Sequence, residues 1–408
     1  MKCGLLGRKL GHSYSPQIHG MLGDYSYALF EKEPDELASF LKDEDFTGIN
    51  VTIPYKKDVI PYLDELSPAA RKIGSINTIV RRADGSLFGH NSDYFGFVSL
   101  VRHSGIAVAG KKVLVLGSGG TSNMAVAALK DLGAAPVVIS RSGENNYDNL
   151  HLHADASVIV NATPVGMYPN TGVSPIDLNR FPKLEGVLDV IYNPAKTKLL
   201  LDAEALGVPH ENGLWMLVAQ AKEASEYFTG KKLPDSCIGK IHGILSRQMK
   251  NIVLIGMPGC GKSTVGKLLA EKLGRSFVDA DEEIIQLAGK SIPGIFAQDG
   301  EKVFRKLETA TLENLGKQSG LVIATGGGCV TREENYPALH QNGSIVWLER
   351  SLSLLPTEGR PLSQANRLEE MYTIRKPLYE SFADIRVENA GSPEQTVSEI
   401  LSQLEELS

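Results

Sequence analysis

The chain has 408 residues, of which 42% are hydrophobic and 22% charged, a composition that indicates a globular protein of two or three domains. A net charge of −6 and the lack of a basic tract argue against a nucleic-acid partner. The start is too short and polar for a signal peptide, and no apolar run would span a bilayer, so we expect no membrane partner.

The cysteines favour a reducing compartment. There are four, Cys3, Cys237, Cys260 and Cys329, and they share no metal-like spacing. We therefore expect free thiols and a cytoplasmic location. Nothing in the sequence indicates the oligomeric state.

The first candidate site begins with a pair of serines. Ser13 and Ser15 are two residues apart, so in an extended segment both side chains point to one side. Such a pair suits a polyol or carboxylate ligand. The alternative is a Ser-Pro turn that caps a helix.

Three later segments add the other groups that proton transfer requires. Residues 48–57 predict a strand that ends at Pro54 and delivers Lys56 to the strand end, and turn-like stretches carry Asn77 and Asp93. Lysine, aspartate, asparagine and serine together can bind a polyhydroxylated acid and move one proton. A single lysine at a strand end is, by itself, usually a solvated charge.

The segments HSYSP, NVTIPYK, INT and NSD resemble, in this order and spacing, those of shikimate dehydrogenases, which interconvert 3-dehydroshikimate and shikimate. The resemblance implies that Lys56 and Asp93 are the catalytic pair. It assigns the substrate carboxylate to Ser13 and Ser15 and further substrate contacts to Thr52 and Asn77. Two positions depart from the family: Gly20 replaces an asparagine, and Ser92-Asp93-Tyr94 replaces the commoner Thr-Asp-Gly.

The middle of the chain predicts a dinucleotide site. A strand at 111–116 runs into the glycine loop 117–122 and a helical stretch at 124–132, a variant Rossmann fingerprint with Ser122 at the third glycine position. The next strand, 136–139, leads to Ser140-Arg141 with no acid to hold the ribose of NAD. Arg141 can pair with a 2′-phosphate, which favours NADP; the alternative is a surface arginine, because no second basic residue follows closely.

Three more segments, NATPVGM, DVIYNP and NGLWMLVAQ, also resemble the dehydrogenase family. They imply that Tyr192 and Gln220 contact the substrate. The residues then expected at the cofactor are Gly117, Gly119, Gly120, Ser140, Arg141, Thr163, Met167 and Gly213.

The clearest motif lies after residue 250. An apolar strand at 251–255 precedes Gly256-Met257-Pro258-Gly259-Cys260-Gly261-Lys262-Ser263-Thr264, and a helical pattern follows, which is the context of a phosphate-binding P-loop. Gly256, Gly259 and Gly261 would let backbone N–H groups turn inward around phosphate oxygens while Lys262 adds a cation, and Thr264 is also expected at the nucleotide. The Ser263 hydroxyl would hold Mg²⁺.

Charged and glycine-rich segments follow the P-loop. Asp279 and Asp281 lie on one side of a strand end, where the first can reach Mg²⁺ through water and the second can meet an alcohol acceptor. The alternative is a pair of helix-capping surface aspartates. The spacing of Glu301, Arg305 and Glu308 is more typical of surface ion pairs than of a site.

The set GMPGCGKST, DAD, FR, TGGG, GRPL and RKPLY resembles shikimate kinases. The resemblance implies that Arg360, in the lid, reaches the transferring phosphate alongside Lys262. Shikimate would be bound by Asp281, Arg305, Gly327, Gly328 and Arg375. Gly294 replaces a usual acidic residue, and the short lid lacks the arginine that often stacks on adenine.

The predicted fold is α/β: a substrate lobe at 1–103 completed by 211–248, a Rossmann-like NADP lobe at 104–210, and a P-loop domain at 249–408. The last resembles nucleoside-monophosphate kinases with a parallel sheet. The motif sets predict a bifunctional enzyme that uses NADP(H), ATP and Mg²⁺ on small-molecule substrates. Two alternatives stay open: a working kinase beside a non-catalytic shikimate-sensing module, or a dehydrogenase half that prefers quinate.

Overall fold

A computed structural model of the chain describes residues 1–11, 13–355 and 365–406. The described chain divides into two compact units. The first comprises residues 1–167, 173–192 and 199–244, and the second comprises 168–172, 193–198 and 245–408.

The strands are short and follow the apolar runs of the sequence. They are β1 (Lys2–Gly7), β2 (Ser26–Glu31), β3 (Gly48–Val51), β4 (Glu65–Leu66), β5 (Thr78–Arg81), β6 (Leu87–His90), β7 (Lys112–Leu116), β8 (Ala135–Ile139), β9 (Val158–Asn161), β10 (Gly186–Asp189), β11 (His210–Glu211), β12 (Asn251–Ile255), β13 (Phe277–Asp279), β14 (Val322–Ala324), β15 (Gly343–Glu349) and β16 (Ile385–Glu388).

The helices connect these strands. They are α1 (Ser15–Leu22), α2 (Leu37–Asp43), α3 (Pro68–Ile73), α4 (Asp93–Ser104), α5 (Gly120–Asp131), α6 (Lys198–Ala205), α7 (Leu214–Thr229), α8 (Ser236–Met249), α9 (Lys262–Leu273), α10 (Ala280–Ala288), α11 (Ile292–Gln298), α12 (Glu301–Gly316), α13 (Asn335–His340), α14 (Ala365–Phe382) and α15 (Pro393–Glu406). Short 3₁₀ turns lie at Pro34–Glu36, Ile60–Tyr62, Leu150–His153, Leu178–Arg180, Cys329–Thr331 and Leu352–Leu354.

The first unit contains two lobes, each built on its own sheet. The first lobe has a six-stranded mixed sheet in the order β2-β1-β3-β5-β6-β4. The second lobe has a five-stranded parallel sheet in the order β11-β10-β9-β7-β8. Helices α4 and α7 pack against each other, and α4 leads from the first sheet to the second.

The second unit has one five-stranded parallel sheet in the order β13-β14-β12-β15-β16. Its three central strands, β14, β12 and β15, are buried along most of their length, as expected for a parallel sheet with helices on its faces. The carboxyl end of β12 leads into a glycine loop and then α9. A parallel sheet of this kind places its ligand sites at the carboxyl edge, so the position of the motif in the fold agrees with a nucleotide site.

The exact bounds of the three predicted domains stay a prediction. The boundary between the two units, after Ile244, falls inside α8 rather than at residue 249. Within the predicted NADP lobe, residues 168–172 and 193–198 group with the second unit. Among the described residues, no helix has both the length and the apolar character that crossing a membrane requires.

His19 of α1 is a buried polar group with a consequence for acid stability. Its side chain is 1% exposed, its Nδ1 lies 2.7 Å from the Tyr25 hydroxyl, and its ring stacks on Tyr27 at 4.1 Å. Burial lowers the pKa of His19 from 6.5 to about 3, because the charged imidazolium would lose its hydration. The neutral ring therefore stabilises the folded state above its unfolded pKa, and this contribution is lost as the pH falls toward 3.

We expect the free energy of unfolding of the first unit to fall between pH 7 and pH 5 by up to about 1.4 kcal/mol per pH unit below the unfolded pKa. A His19→Gln variant should show a smaller dependence on pH over this range. Urea unfolding of the full chain at several pH values measures it, with the exposed His151→Gln as the matched control. Equal slopes in the parent and His19→Gln would contradict the assignment.

Candidate functional sites

The first candidate site centres on an ion pair between a strand end and a helix start. Lys56 follows β3 and Asp93 begins α4, and Lys56 Nζ donates to Asp93 Oδ2 at 2.6 Å. Both side chains are partly shielded, with 26% and 12% exposure. The structure thus brings together two groups that lie 37 residues apart in the sequence, and a lysine so placed can deliver a proton to a bound ligand.

Asn77 is held beside this pair by a network that fixes its amide. Its Oδ1 accepts from the Ser92 backbone N–H at 2.7 Å and lies within 3.2 Å of the Ser92 and Thr78 hydroxyls. Because Oδ1 is taken by these donors, Nδ2 faces Gln220 and donates to its Oε1 at 2.8 Å. Asn77 and Gln220, both predicted to bind the substrate, therefore contact each other beside Ser92, the residue that precedes Asp93.

The serine pair belongs to the same network. Ser15 begins α1, and its N–H donates to Ser13 Oγ at 3.2 Å. The Ser15 hydroxyl is hydrogen-bonded to Tyr27, whose hydroxyl donates to Asn50 Oδ1 at 2.8 Å. Asn50 in turn donates to the Asn77 carbonyl at 3.2 Å. Tyr14 is the N-cap residue of α1 and its side chain makes no capping bond, but Ser13 Oγ accepts from the first N–H of the helix. The alternative of a Ser-Pro turn at the helix start therefore stays open beside the substrate role of the serines.

Two aromatic side chains flank the serines. Tyr14 lies edge-on to Tyr192, with ring centroids 6.2 Å apart. Burial raises the pKa of both hydroxyls, so each remains a hydrogen-bond donor at neutral pH. Thr52 is half-buried, and its methyl group packs close to Gly7. The structure therefore places Tyr192 near the serine pair and Thr52 in the strand-end segment that carries Lys56.

The second lobe assembles a glycine loop at the carboxyl edge of its sheet. Gly117 follows β7 with a φ of 109°, and a Cβ there would lie 3.1 Å from both the Ala162 carbonyl and the Thr163 methyl. Ser122 donates to the Gly117 carbonyl at 2.7 Å, so the serine at the third glycine position closes the loop. Gly119 is the N-cap residue of α5, where a Cβ would meet nothing within 4 Å. Open backbone at a helix start is what an anionic phosphate group requires.

The other predicted cofactor residues differ in their exposure to solvent. Ser140 is buried at the end of β8, while Arg141 is exposed beside it. Met167 is 45% exposed. Gly213 packs against the carbonyl of Val190 and has no room for a side chain, so its position has a packing reason irrespective of any cofactor.

The second unit contains the P-loop site. Gly256, Gly259 and Gly261 have φ values of 142°, 81° and 102°, a region that glycine adopts without strain. Lys262 is buried, and its Nζ donates to the Gly256 and Met257 carbonyls at 2.9 and 3.1 Å. The loop is thereby curled around the lysine ammonium, and the start of α9 follows directly.

The predicted metal ligands are adjacent. The Ser263 hydroxyl donates to Asp279 Oδ2 at 2.6 Å. Oxygen ligands of this kind suit Mg²⁺, which keeps several waters and takes further ligands from nucleotide phosphates. The two residues therefore fit the ion expected beside a P-loop. Asp279 Oδ1 also accepts from the Asp281 N–H at 3.1 Å and caps α10. The capping interpretation is therefore confirmed for Asp279, and its role as a metal ligand stays a prediction.

Arg305 and Glu308 form a shielded pair rather than a surface pair. Arg305 Nη1 donates to Glu308 Oε2 at 2.8 Å, and the two side chains are 14% and 1% exposed. Burial raises the pKa of Glu308, Arg305 opposes that rise and Asp281 adds to it. The surface interpretation of this spacing is wrong for Glu308, because α12 packs this face against α10 and the glycine turn after β14.

A cavity of about 920 Å³ lies at the P-loop, and Arg305 and Glu308 are not among the residues that line it. Predicted residues that line it are Gly259, Gly261, Lys262, Ser263, Thr264, Asp279, Asp281, Gly327 and Arg375. Arg375 donates to the Gly327 carbonyl at 3.0 Å. Gly328 faces the Arg305 guanidinium instead, so a side chain at this position would displace that guanidinium. Arg360 and the rest of the GRPL segment lie outside the described residues.

Comparison with known proteins assigns both halves. Residues 5–79 match the family model for the shikimate dehydrogenase substrate binding domain, and residues 258–405 match the model for shikimate kinase. A shikimate dehydrogenase (NADP⁺) of Clostridium perfringens is 36% identical over 255 residues, which span 57% of this chain and 94% of the relative. The chain belongs to the shikimate dehydrogenase family. It also carries a shikimate kinase domain.

Solved structures agree over the dehydrogenase region. Shikimate dehydrogenase 1 from Peptoclostridium difficile is 36% identical with a TM-score of 0.56, covering 60% of this chain and 98% of that one. A quinate dehydrogenase from Corynebacterium glutamicum in complex with NAD is 28% identical with a TM-score of 0.54, covering 60% of this chain and 98% of that one. The predicted fold, an α/β dehydrogenase followed by a P-loop kinase, is confirmed.

Several residues that support the two sites were not predicted. In the dehydrogenase they include Ser92 and Asn50, which orient Asn77, and Asn161, whose Oδ1 accepts from Thr163 Oγ1 at 2.7 Å. In the kinase, Asn389 donates to the Cys260 carbonyl at 2.7 Å, and the Tyr379 hydroxyl donates to the Gly327 carbonyl at 2.5 Å. Asn161 belongs to the NATPVGM segment, so the family resemblance could have indicated it. The sequence around Asn389 contains no pattern that predicts its contact with the P-loop.

Gly96 sets the distance between the two helices of the dehydrogenase site. A Cβ at Gly96, in α4, would lie 2.8 Å from the Met216 carbonyl and 3.0 Å from Gln220 Cβ, both in α7. A Gly96→Ala variant should therefore push α7 away, lose about 1–3 kcal/mol of stability and raise the KM of the dehydrogenase substrate through Gln220. Thermal unfolding and kinetics measure the two effects.

Gly243→Ala is the matched control, because a Cβ at that helix position would meet nothing within 4 Å. We expect it to be neutral or slightly stabilising, as alanine favours a helix interior by up to about 1 kcal/mol over glycine. Indistinguishable stabilities of the two variants would contradict the close packing at Gly96.

Proposed function

We propose that the chain catalyses two consecutive reactions: NADPH-dependent reduction of 3-dehydroshikimate to shikimate, and ATP- and Mg²⁺-dependent phosphorylation of shikimate to shikimate 3-phosphate. The observation that supports both is the presence of two separate candidate sites: the Lys56–Asp93 pair in the first unit and the P-loop cavity in the second. The cytoplasmic location predicted from the cysteines stays part of this proposal.

In the dehydrogenase site, side chains of the protein bind the substrate and donate one proton to it. The glycine loop at Gly117–Gly120 would hold NADPH, which would supply the hydride for the substrate carbonyl. Lys56 Nζ donates a proton to the carbonyl oxygen, and Asp93 Oδ2, 2.6 Å away, holds the ammonium in place. Ser13 and Ser15 would bind the carboxylate, while the oriented amide of Asn77 and Gln220 would bind ring hydroxyls.

In the kinase site, catalysis rests on positioning and charge neutralisation. Bound ATP supplies the phosphoryl group, and Ser263 and Asp279 would hold the Mg²⁺ that neutralises the phosphate charge. Lys262 binds phosphate oxygens, Asp281 meets the acceptor hydroxyl, and Arg305 with Arg375 binds the substrate carboxylate. Glu308 orients Arg305, since it holds one guanidinium nitrogen at 2.8 Å.

The sensing-module alternative is disfavoured by the Lys56–Asp93 contact, because a module that only binds shikimate has no need of a proton-transfer pair. NADPH oxidation by the full chain with 3-dehydroshikimate and without ATP tests it directly: turnover supports the proposal, and binding without turnover supports the sensor.

The quinate alternative has one observation in its favour, the similarity to a quinate dehydrogenase at 28% identity. Steady-state kinetics in the oxidative direction with shikimate and quinate, each with NADP⁺ and NAD⁺, separates the two substrates. We expect a higher kcat/KM for shikimate with NADP⁺; a higher value for quinate would reassign the first site.

A further inference from the structure

A carboxylate at the end of the nucleotide-binding helix joins three elements of the dehydrogenase. Asp131 is the last residue of α5, and Lys72 Nζ, from α3, donates to both of its carboxylate oxygens at 2.6 Å. The Tyr94 hydroxyl, from the first turn of α4, donates to Asp131 Oδ2 at 2.6 Å. We call Tyr94, Asp131 and Lys72 the inter-lobe clamp, because α3 belongs to the first lobe and α5 to the second.

The clamp connects the two parts of the dehydrogenase site, the Lys56–Asp93 pair and the glycine loop. Tyr94 is the neighbour of Asp93, whose carboxylate holds the Lys56 ammonium. At the other end of α5 lies the glycine loop at Gly119, where the cofactor phosphates would bind. The helix has 12 residues and spans about 18 Å. A small tilt of α5 about its clamped end would therefore displace the cofactor relative to the proton donor.

The exposure of the Lys72–Asp131 ion pair indicates that the clamp positions helices rather than stabilising the whole fold. The Lys72 and Asp131 side chains are 49% and 44% exposed, and exposed pairs of this kind contribute little to the free energy of folding. The Tyr94 ring, in contrast, packs against an apolar cluster to which both lobes contribute residues. Burial, followed by the bond to Asp131, raises the pKa of Tyr94 to about 12, so the hydroxyl stays a donor at neutral pH. The clamp is thus anchored in the core at one of its three members.

We propose that the inter-lobe clamp positions α5 relative to the Lys56–Asp93 pair, which makes Tyr94 a positioning residue for hydride transfer. The inference rests on the proposed dehydrogenase function. It also gives a physical reason for the departure at Ser92-Asp93-Tyr94: the side chain that replaces the family's usual glycine reaches the nucleotide-binding helix.

The test uses the full chain with Tyr94→Phe, Asp131→Ala and the double variant. Tyr94→Phe removes one hydroxyl and keeps the ring in the core. We expect kcat of the dehydrogenase to fall about tenfold, because displacements of a fraction of an ångström at reacting atoms have effects of this order. The KM for 3-dehydroshikimate should stay within about twofold, because the clamp does not touch its predicted ligands. The deuterium isotope effect with labelled NADPH should rise as hydride transfer limits the rate.

Two controls separate positioning from general damage. Lys111→Ala removes an ion pair of similar length, 2.7 Å to Glu185, which lies wholly within the second lobe and should leave kcat unchanged. The kinase activity of each variant, measured on the same sample, reports whether the chain is intact. The double variant should be no slower than Asp131→Ala alone, because both changes break the same contact.

The outcomes are distinct. A parental kcat and isotope effect in Tyr94→Phe, or additive losses in the double variant, would overturn the clamp and leave the proposed function standing. Loss of kinase activity or of melting temperature together with kcat would assign Tyr94 a structural role and also overturn it. If the parent chain oxidises no NADPH with 3-dehydroshikimate, the proposed function fails and the positioning role fails with it.

Discussion

A Lys56→Met variant is expected to lose about 10²–10⁴-fold in dehydrogenase kcat, the usual contribution of a positioned general acid. Methionine keeps the length and apolar stem of the side chain but cannot donate a proton. It also leaves the Asp93 carboxylate, 12% exposed, without its cation. NADPH oxidation at saturating 3-dehydroshikimate measures the loss, and the kinase rate of the same preparation should equal that of the parent.

The neighbouring lysine provides the matched control for Lys56. Lys57 is exposed and one residue away, so Lys57→Met removes the same charge from the same segment. We expect its dehydrogenase activity to remain within about twofold of the parent, since exposed charges far from a reacting atom contribute little. A Lys56→Met enzyme as active as Lys57→Met would remove Lys56 from the proton-transfer role.

A Lys262→Met variant is expected to show the opposite pattern. Lys262 is the cation that the P-loop backbone holds beside the expected phosphate position, through its contacts to the Gly256 and Met257 carbonyls. Removing one preorganised donor to developing charge commonly costs about 10²–10³-fold in kcat. ATP-dependent phosphorylation of shikimate should fall by at least this factor, while NADPH oxidation with 3-dehydroshikimate should be unchanged.

Lys267→Met is the control on the same helix. Its side chain is exposed, and its Nζ lies over the Phe277 ring at 5.7 Å rather than at the loop. Both activities of this variant should match the parent. A comparable kinase loss in Lys262→Met and Lys267→Met would show that charge on α9, rather than the P-loop position, explains the effect.

The local parts of both sites were predictable because their signals are contiguous in sequence. An apolar strand, a glycine-rich loop and a helix pattern predicted β12, the P-loop and α9, and the same succession predicted β7, Gly117–Gly120 and α5. In each case the glycine requirement follows from backbone geometry: Gly117 and Gly261, for example, have φ values of 109° and 102°.

The contacts between distant segments were not predictable from pattern. Asn77 and Gln220 are separated by 143 residues, and the packing of α7 against β3 and β5 of the first sheet brings them together. Glu308 has the spacing of a surface pair, yet the approach of α10 and the glycine turn buries it. Tyr94 was recognised as a departure, but its partner Asp131 depends on how the two lobes are packed. The spacing of residues along a helix predicts which face each residue occupies. It does not predict which other elements pack against that face.

The most direct test of two complementary sites on one chain is product analysis from a single incubation. The full chain is supplied with 3-dehydroshikimate, NADPH, ATP and Mg²⁺, and shikimate 3-phosphate is quantified by mass spectrometry against NADPH consumed. We predict phosphorylated product from the parent chain, none from Lys56→Met, and its recovery in Lys56→Met when shikimate is added. NADPH oxidation without phosphorylated product, or no oxidation at all, would contradict the account.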